Sequence, residues 1–219
     1  MNRRAFRNRR EAGRRLAERL LPLVSEPGEC VVLGLPRGGV PVASEVARVL
    51  RAPLDVLLVR KLGAPFQAEL AIGAVVDGDP PQVILNQDII QELGLSQSDI
   101  AAETARQLCV IAERRRMYRA NRTPPALEGR SVIVVDDGAA TGATLRVAVQ
   151  GVRSRRPRRL IAAVPVASRS ALDLLRTEAD EVACLRAPEH FGAVGFYYRD
   201  FSEVTDEEVD ALLEAAASS

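Results

Sequence analysis

Lysine, histidine and closely spaced cysteines are scarce in this 219-residue chain, and each scarcity excludes a class of site. Lys61 is the only lysine among 30 basic residues. Because an arginine precedes it, the Gly-Lys core of a Walker phosphate loop is absent. His190 is the only histidine, which excludes a zinc site built on several histidines. Cys30, Cys109 and Cys184 lie far apart, so neither a zinc-binding pair nor a disulfide framework is expected.

Long apolar runs and a strong net charge are also missing. No stretch approaches the roughly 20 apolar residues that span a bilayer, and the formal net charge is +1. We therefore expect no membrane insertion, no general attraction to nucleic acid, and a reduced protein in the cytoplasm. The length fits one domain, and 47% hydrophobic with 27% charged residues is typical of a globular protein.

Apolar strands alternate with helices along the chain, which predicts a parallel α/β sheet. Strands are predicted over residues 29–35, 54–60, 71–77, 82–85, 130–136, 159–166 and 181–185. Helices are predicted over residues 3–22, 41–51, 98–121, 142–153 and 168–177, in a short segment capped by Asn86, and from Thr205 onward. Residues 61–67 contain Gly63 and Pro65 and are predicted to form a loop.

Residues 132–144 carry the most informative motif. Four apolar residues end at two adjacent acids, Asp136 and Asp137, and the carboxyl end of such a strand is where α/β sheets bind ligands. Small residues and two hydroxyls then lead into a helix, so backbone N–H groups and the helix N-terminus can bind an anion. Carboxylates beside a phosphate cradle suit a ribose 5-phosphate. The predicted 5′-phosphate loop consists of Gly138, Ala139, Ala140, Thr141, Gly142, Ala143 and Thr144.

This motif resembles the signature with which type I phosphoribosyltransferases bind phosphoribosyl diphosphate (PRPP). The resemblance implies that Asp136 and Asp137 contact the ribose hydroxyls and hold Mg²⁺ through those hydroxyls or water. It also implies a Rossmann-like parallel sheet with a small hood formed by the terminal regions. We accordingly expect one domain over residues 1–219, with a core at about 25–185 and a hood from about 1–24 and 186–219.

Two further segments carry the resemblance. Pro-Arg-Gly-Gly at 36–39 takes the place of the family's pyrophosphate loop, and Arg60-Lys61 resembles its basic pair, followed by a mobile hood loop. From about residue 6 to 213 the chain is similar to a bacterial group of phosphoribosyltransferases. The residues then implied to bind pyrophosphate are Arg37, Gly38, Gly39, Arg60 and Lys61. Lys61 and Arg37 would act in catalysis with the two acids, because donors aimed at the developing charge of a leaving group stabilise the transition state.

The acceptor is less constrained. Five of the eight aromatic residues fall within 191–201, and stacking on an aromatic face stabilises a base by roughly 1–3 kcal/mol. Packing of these rings against the sheet is an equally open interpretation. The candidate acceptor-binding residues are Phe191, Tyr197, Tyr198 and Asp200. In the 6-oxopurine enzymes of the family, an acid that assists proton transfer occupies the position of Ala140, so the resemblance points away from those substrates.

Three hypotheses follow. The first is a Mg²⁺-dependent transferase that moves ribose 5-phosphate from PRPP to a nucleobase-like acceptor and releases pyrophosphate. The second is a regulator that senses PRPP or a nucleotide without catalysis and uses its basic N-terminal helix, or the arginines at 114–122, on nucleic acid. Lys61 and Arg37 favour the enzyme, because a sensor does not need donors to a leaving group. The third is a hydrolase or phosphorylase acting on a sugar phosphate. A homodimer is an assembly to be tested for each.

Overall fold

The computed structural model describes residues 5–24, 29–119 and 122–217. The strands are β1 (Cys30–Gly34), β2 (Leu54–Val56), β3 (Val59–Ala64), β4 (Gln67–Val76), β5 (Gln82–Leu85), β6 (Ser131–Val135), β7 (Arg159–Val166) and β8 (Glu181–Arg186). The α-helices are α1 (Arg9–Leu20), α2 (Gly39–Leu50), α3 (Gln87–Glu92), α4 (Gln97–Arg119), α5 (Ala143–Arg153), α6 (Arg169–Arg176) and α7 (Asp206–Ala217). Short 3₁₀ turns span Leu21–Leu23 and Val194–Tyr197.

A five-stranded parallel sheet in the order β2-β1-β6-β7-β8 forms the centre of the molecule. Because successive strand residues point to opposite faces, β6 buries Ile133 and Val135 on one side and Val132 and Val134 on the other. Helices α1 and α2 cover the first face, and α5 and α6 cover the second. This arrangement confirms the predicted parallel α/β sheet.

A second, antiparallel sheet in the order β3-β4-β5 packs beside the first. The predicted strand 54–60 is in fact divided, because the chain leaves the parallel sheet after Val56 and Val59 pairs with Val76. The predicted loop at 61–67 is wrong for most of its length, since Lys61 lies in β3 and only the tip around Pro65 turns. Helices α3, α4 and α7 share an apolar cluster with this sheet.

Local side-chain caps fix several helix starts. Asn8 accepts the Glu11 N–H at 3.0 Å, so the first helix begins at Arg9, and Phe6 forms a parallel bridge to Tyr198. Residues 3 and 4 of the predicted first helix, and 120 and 121 of the predicted long helix, lie outside the described residues. The Glu208 N–H donates to Thr205 Oγ1 at 3.2 Å, which confirms the predicted start of the last helix.

Two further observations concern the described ranges. Among the helices of residues 5–24, 29–119 and 122–217, none combines the length and the apolar character needed to cross a membrane. The same residues contain no cluster of three or more histidine, cysteine, aspartate or glutamate side chains that could hold a metal ion.

Candidate functional site

The acid pair lies at the carboxyl edge of the parallel sheet, directly after β6. Asp136 Oδ1 accepts the backbone N–H of Asp137 at 2.8 Å. Burial raises the pKa of Asp136 well above its usual range, and the neighbouring Asp137 raises it further. Burial likewise raises the pKa of Asp137. The pair therefore favours a ligand that brings positive charge or hydroxyl donors to the two carboxylates.

Arg9 is a member of this site that the sequence analysis missed. Its Nε donates to Asp137 Oδ2 at 2.8 Å, with 11% and 14% of the two side chains exposed. The guanidinium also lies 3.8 Å from the centre of the Phe201 ring and donates to the Ser202 carbonyl at 2.7 Å. Its charge lowers the pKa of Asp137 and so opposes the effect of burial. The sequence gives no signal for this contact, because 128 residues separate the two partners.

The turn at residues 36–39 lies against the acid pair. A side chain on Gly39 would come within 2.7 Å of the Val135 carbonyl and 2.9 Å of Asp136 Cα, and one on Gly38 would overlap the Asp137 carboxylate. Only glycines allow this approach. The Pro36–Arg37 peptide bond is cis. The Gly39 N–H donates to the Leu35 carbonyl at 2.9 Å, so it already has an acceptor inside the turn.

Arg37 is oriented towards the segment that precedes α7. Its guanidinium pairs with the Glu203 carboxylate, and Asp206 Oδ2 lies 3.9 Å from its Nη1. About a third of the Arg37 side chain is exposed, at 35%. A ligand that recruits this guanidinium must therefore compete with two carboxylates.

The small-residue loop after the acid pair begins with backbone hydrogen bonds to the end of β7 and continues into exposed residues. The Ala139 N–H donates to the Val166 carbonyl at 2.9 Å, and the Ala139 carbonyl accepts from Ser168, which extends the strand contact beyond β6. Ala140, Thr141, Ala143 and Thr144 are exposed. Gly142 adopts φ of 75° immediately before α5, a left-handed conformation that favours glycine. The loop thus presents the N-terminus of an 11-residue helix to solvent, which suits a phosphate.

Gly138 is explained by a neighbour from the C-terminal region. A side chain at this position would come within 2.5 Å of Val194 Cγ1. The 3₁₀ turn at Val194–Tyr197 therefore packs directly on the first residue of the loop. The described part of the C-terminal region is in contact with both the acid pair and the loop.

Tyr198 supports the acid pair rather than forming an open platform. It is 6% exposed, its hydroxyl donates to the Asp137 carbonyl at 2.6 Å, and its ring lies 5.0 Å from that of Phe201. Burial raises the pKa of Tyr198, so the hydroxyl stays protonated and can donate. Of the two interpretations left open for these rings, packing fits Tyr198, because its ring lies between those of Phe6 and Phe201.

The other candidate acceptor residues lie closer to solvent. The rings of Phe191 and Tyr197 lie 5.4 Å apart, and both side chains are partly exposed. Asp200 is exposed and accepts the Ser202 N–H at 3.1 Å, a bond that lowers the pKa of Asp200. These three residues stay candidates, and the structure places them on the same segment as Tyr198.

Lys61 and Arg60 lie on β3, and their side chains contact β4 and α4 respectively. Lys61 Nζ lies 3.1 Å from Glu69 Oε2 and donates to the Glu69 carbonyl at 3.3 Å. Arg60 Nε donates to Gln107 Oε1 at 3.2 Å. Among the described residues, these contacts do not join the basic pair to Asp136 or Asp137. The expectation that Lys61 reaches the pyrophosphate leaving group on closure of the loop stays a prediction.

The fold and the site together define an α/β protein with an acid pair and an open helix N-terminus at the carboxyl edge of its sheet. A family model described as the phosphoribosyl transferase domain matches residues 7–201. The chain belongs to this family, which confirms the resemblance drawn from the motif.

Individual relatives agree with this assignment. Two Mycobacterium tuberculosis proteins, from strains CDC 1551 and H37Rv and each named "Putative phosphoribosyl transferase", are 45% identical over 211 residues. The match covers 96% of this chain and 47% of each relative, so the chain spans about half their length. The crystal structure of TT1426 from Thermus thermophilus is 50% identical, with a TM-score of 0.84 over 95% of this chain and 97% of that one. The AQ2163 protein from Aquifex aeolicus is similar in fold, at 16% identity and a TM-score of 0.51 over 85% and 78% of the two chains.

Proposed function

We propose that the protein is a Mg²⁺-dependent phosphoribosyltransferase that transfers ribose 5-phosphate from PRPP to a nucleobase-like acceptor. In this reaction the bond from the anomeric carbon to pyrophosphate breaks, a bond to an acceptor nitrogen forms, and the acceptor's proton passes to solvent. One observation carries the proposal: the glycine turn at 36–39 lies against Asp136 and Asp137, beside an open helix N-terminus. A ligand with a phosphate, vicinal hydroxyls and a diphosphate has matching groups there.

Each residue has a proposed role. The exposed loop residues Ala140 to Thr144 bind the 5′-phosphate, and Asp136 and Asp137 accept hydrogen bonds from the ribose hydroxyls. Arg37 and the Gly38 N–H bind the diphosphate after Arg37 has exchanged its carboxylate partners. Tyr198 and Arg9 orient Asp137 through its carbonyl and its carboxylate.

The acid pair fits Mg²⁺ by the chemistry of its donors. Carboxylate oxygens are ligands that this cation prefers, and the raised pKa values of both acids mean that added positive charge is favourable there. Asp136 and Asp137 would hold the cation, directly or through ribose hydroxyls and water. When bound, it supplies positive charge that offsets the negative charge of the diphosphate.

A test is calorimetric binding of PRPP with and without Mg²⁺ to the native chain and to a variant with Asp136→Asn and Asp137→Asn. We expect Mg²⁺-dependent binding that is lost in the double variant. The amides keep the shape of the carboxylates, but Asp137→Asn removes the partner of the largely buried Arg9. Circular dichroism therefore checks that the double variant is folded, and Asp136→Asn alone, which keeps the Arg9–Asp137 pair, is the second variant. Asp173→Asn, at an exposed position, is the matched control. Undiminished binding of PRPP by the folded double variant would contradict the proposal.

A regulator that binds PRPP without turnover is the second candidate. It is favoured by the ion pairs of Arg37 and Lys61, because a paired side chain is not free to contact a leaving group. Both donors are engaged by carboxylates, Glu203 and Glu69 respectively. Release of pyrophosphate in the presence of PRPP and a panel of purines, pyrimidines and amines separates the two. Turnover supports the enzyme, and tight PRPP binding without turnover for any acceptor supports the regulator.

A further inference from the structure

A separate cavity of about 910 Å³ lies away from the acid pair, at the other end of α5. Its walls come from the β4–β5 turn, the end of α4, the segment before β6 and the end of α5. Helix α5 has 11 residues, so the phosphate loop at its start and this cavity at its end are separated by about 16 Å. The lining includes five arginines: Arg115, Arg116, Arg119, Arg122 and Arg155. Asp79 and Glu128 are the two acids of the lining.

Arg155 carries an unsatisfied donor in the wall of this cavity. Its Nη2 is buried and has no hydrogen-bond partner among the described residues. The guanidinium is pressed against Gly78, where any side chain would overlap Nη2. Burial lowers the pKa of Arg155, as expected for a cation that has lost its water. A buried donor without an acceptor is costly, so a shift of the Arg155 side chain that brings Nη2 to an anion in the cavity would relieve that cost.

Three of the other arginines pair with acids that are not part of the lining, and one of these pairs is Arg122 with Asp210 at 3.4 Å. Arg119 pairs with Asp55 Oδ2 at 2.7 Å and with Asp77 Oδ2 at 2.7 Å, and Arg115 also pairs with Asp77. These contacts hold the three side chains in place and offset part of the positive charge of the lining. Arg116 is exposed and adds charge at the cavity edge. Guanidinium groups suit phosphate because they donate two parallel hydrogen bonds.

The lining also has an apolar part, which consists of Pro80, Pro124, Pro125, Ala126 and Leu127. A volume of about 910 Å³ is sufficient for an organic molecule as well as an inorganic anion. We propose that this cavity binds a small molecule that carries a diphosphate or triphosphate group, with a nucleoside part against the prolines. The site is independent of the proposed PRPP site, since none of its lining residues belongs to the acid pair, the glycine turn or the phosphate loop.

Calorimetric titration with ADP and with pyrophosphate, without Mg²⁺, tests this site. The variants are Arg155→Met, which keeps an unbranched chain, and Arg116→Gln, at an exposed position that tolerates change. Arg176→Gln, which removes an exposed arginine on α6, is the matched control. A repeat in the Asp136→Asn and Asp137→Asn variant separates this result from the fate of the proposed transferase.

We expect Arg155→Met to weaken binding of ADP or pyrophosphate at least tenfold, Arg116→Gln to weaken it severalfold, and Arg176→Gln to leave it within twofold. We also expect Arg155→Met to melt no lower than the native chain, because it removes an unsatisfied buried donor. Absence of binding at millimolar concentration, or binding that Arg155→Met and Arg116→Gln leave unchanged, overturns the proposal. Binding of a short oligoribonucleotide without binding of either small probe also overturns it and identifies a nucleic-acid surface instead.

Discussion

Asp137 is contacted on three sides, and each contact limits what the carboxylate can do. Arg9 holds one carboxylate oxygen, Tyr198 holds the carbonyl, and Gly38 lies against the carboxylate. The ion pair with Arg9 is largely buried, so its two partners depend on each other for charge compensation. The acid pair is therefore a preorganised group rather than two flexible surface acids.

A single substitution at Lys61 can show whether the only lysine of the chain has a catalytic role. If this lysine follows the leaving group on closure of the hairpin, Lys61→Arg keeps the charge but replaces a compact ammonium with a planar fork. We expect the variant to lower kcat about 100-fold, as for loss of one preorganised donor, while PRPP affinity changes much less. Steady-state kinetics and calorimetry measure the two quantities.

Glu69→Gln is the companion variant for Lys61, since it removes the carboxylate 3.1 Å from Nζ. Freeing the ammonium should leave kcat unchanged or raise it. Full turnover by Lys61→Arg would mean that the lone lysine has no catalytic role.

At the scale of elements, the segment from Val194 to Asp206 covers the site and packs on Gly138. Gly138→Ala would bring a methyl group within 2.5 Å of Val194 Cγ1. Overpacking of this kind typically costs about 1–3 kcal/mol. We expect Gly138→Ala to lower the free energy of unfolding by an amount in that range, and Val194→Ala in the same chain to restore part of it. Urea denaturation of both single variants and the double variant gives the coupling energy. Additive effects would show that the two residues do not touch in solution.

The same segment occupies Arg37, and this predicts a competition with substrate. Glu203→Gln removes the carboxylate paired with the guanidinium. Because exposed ion pairs contribute about 0.2–1 kcal/mol, we expect the KM for PRPP to fall by a factor of about 2 to 5. Glu189→Gln, which makes the same charge change at an exposed position outside the pair, should leave KM unchanged. A KM that rises in Glu203→Gln would instead assign Glu203 to substrate binding.

Elements set by local residues are predictable from the sequence. Strand β7 is predicted at its observed bounds, Arg159–Val166, because a continuous apolar run ends at the Ser168 cap. The acid pair and the small-residue loop are likewise predictable, since one local motif contains both. The antiparallel hairpin is not, because the apolar run at 54–60 does not tell which sheet each residue joins.

Contacts between distant segments are beyond the sequence alone. Arg9 is one of eight arginines in the first 19 residues, and nothing local selects it as the partner of Asp137. The partners of Arg37 and the buried position of Tyr198 have the same origin, since the C-terminal region must fold back for either contact to form. The residue types can be interpreted locally in these cases, but their partners depend on the tertiary fold.

At the scale of the whole molecule, the segment before α1 meets the segment before α7 beside the acid pair. Phe6 forms a bridge to Tyr198, and the Arg199 N–H donates to the Phe6 carbonyl at 2.8 Å. The N-terminal helix also packs in the layer that covers the parallel sheet, with Leu16 and Leu20 in the same cluster as Ile133. The site is thus assembled from the first and last segments as well as from the sheet.

The last prediction concerns which acceptor the protein uses, and it rests on the loop that follows the acid pair. By the resemblance drawn from the motif, Ala140 stands where 6-oxopurine enzymes of the family carry an acid, and its carbonyl accepts from Ser168 Oγ at 2.6 Å. The exposed neighbours Thr141 and Thr144 offer hydroxyls, which are poor bases at neutral pH. General acid–base catalysis typically contributes about 10²–10⁴-fold. We therefore expect little turnover of hypoxanthine or guanine, and adenine is the first base to try.

The measurement is pyrophosphate release with each base under identical PRPP and Mg²⁺, with Ala140→Asp as the gain-of-function variant and Ala143→Asp as its control. A kcat/KM for hypoxanthine on the order of 10⁵ M⁻¹s⁻¹ in the native chain, within the usual range of enzymes, would contradict this interpretation of Ala140.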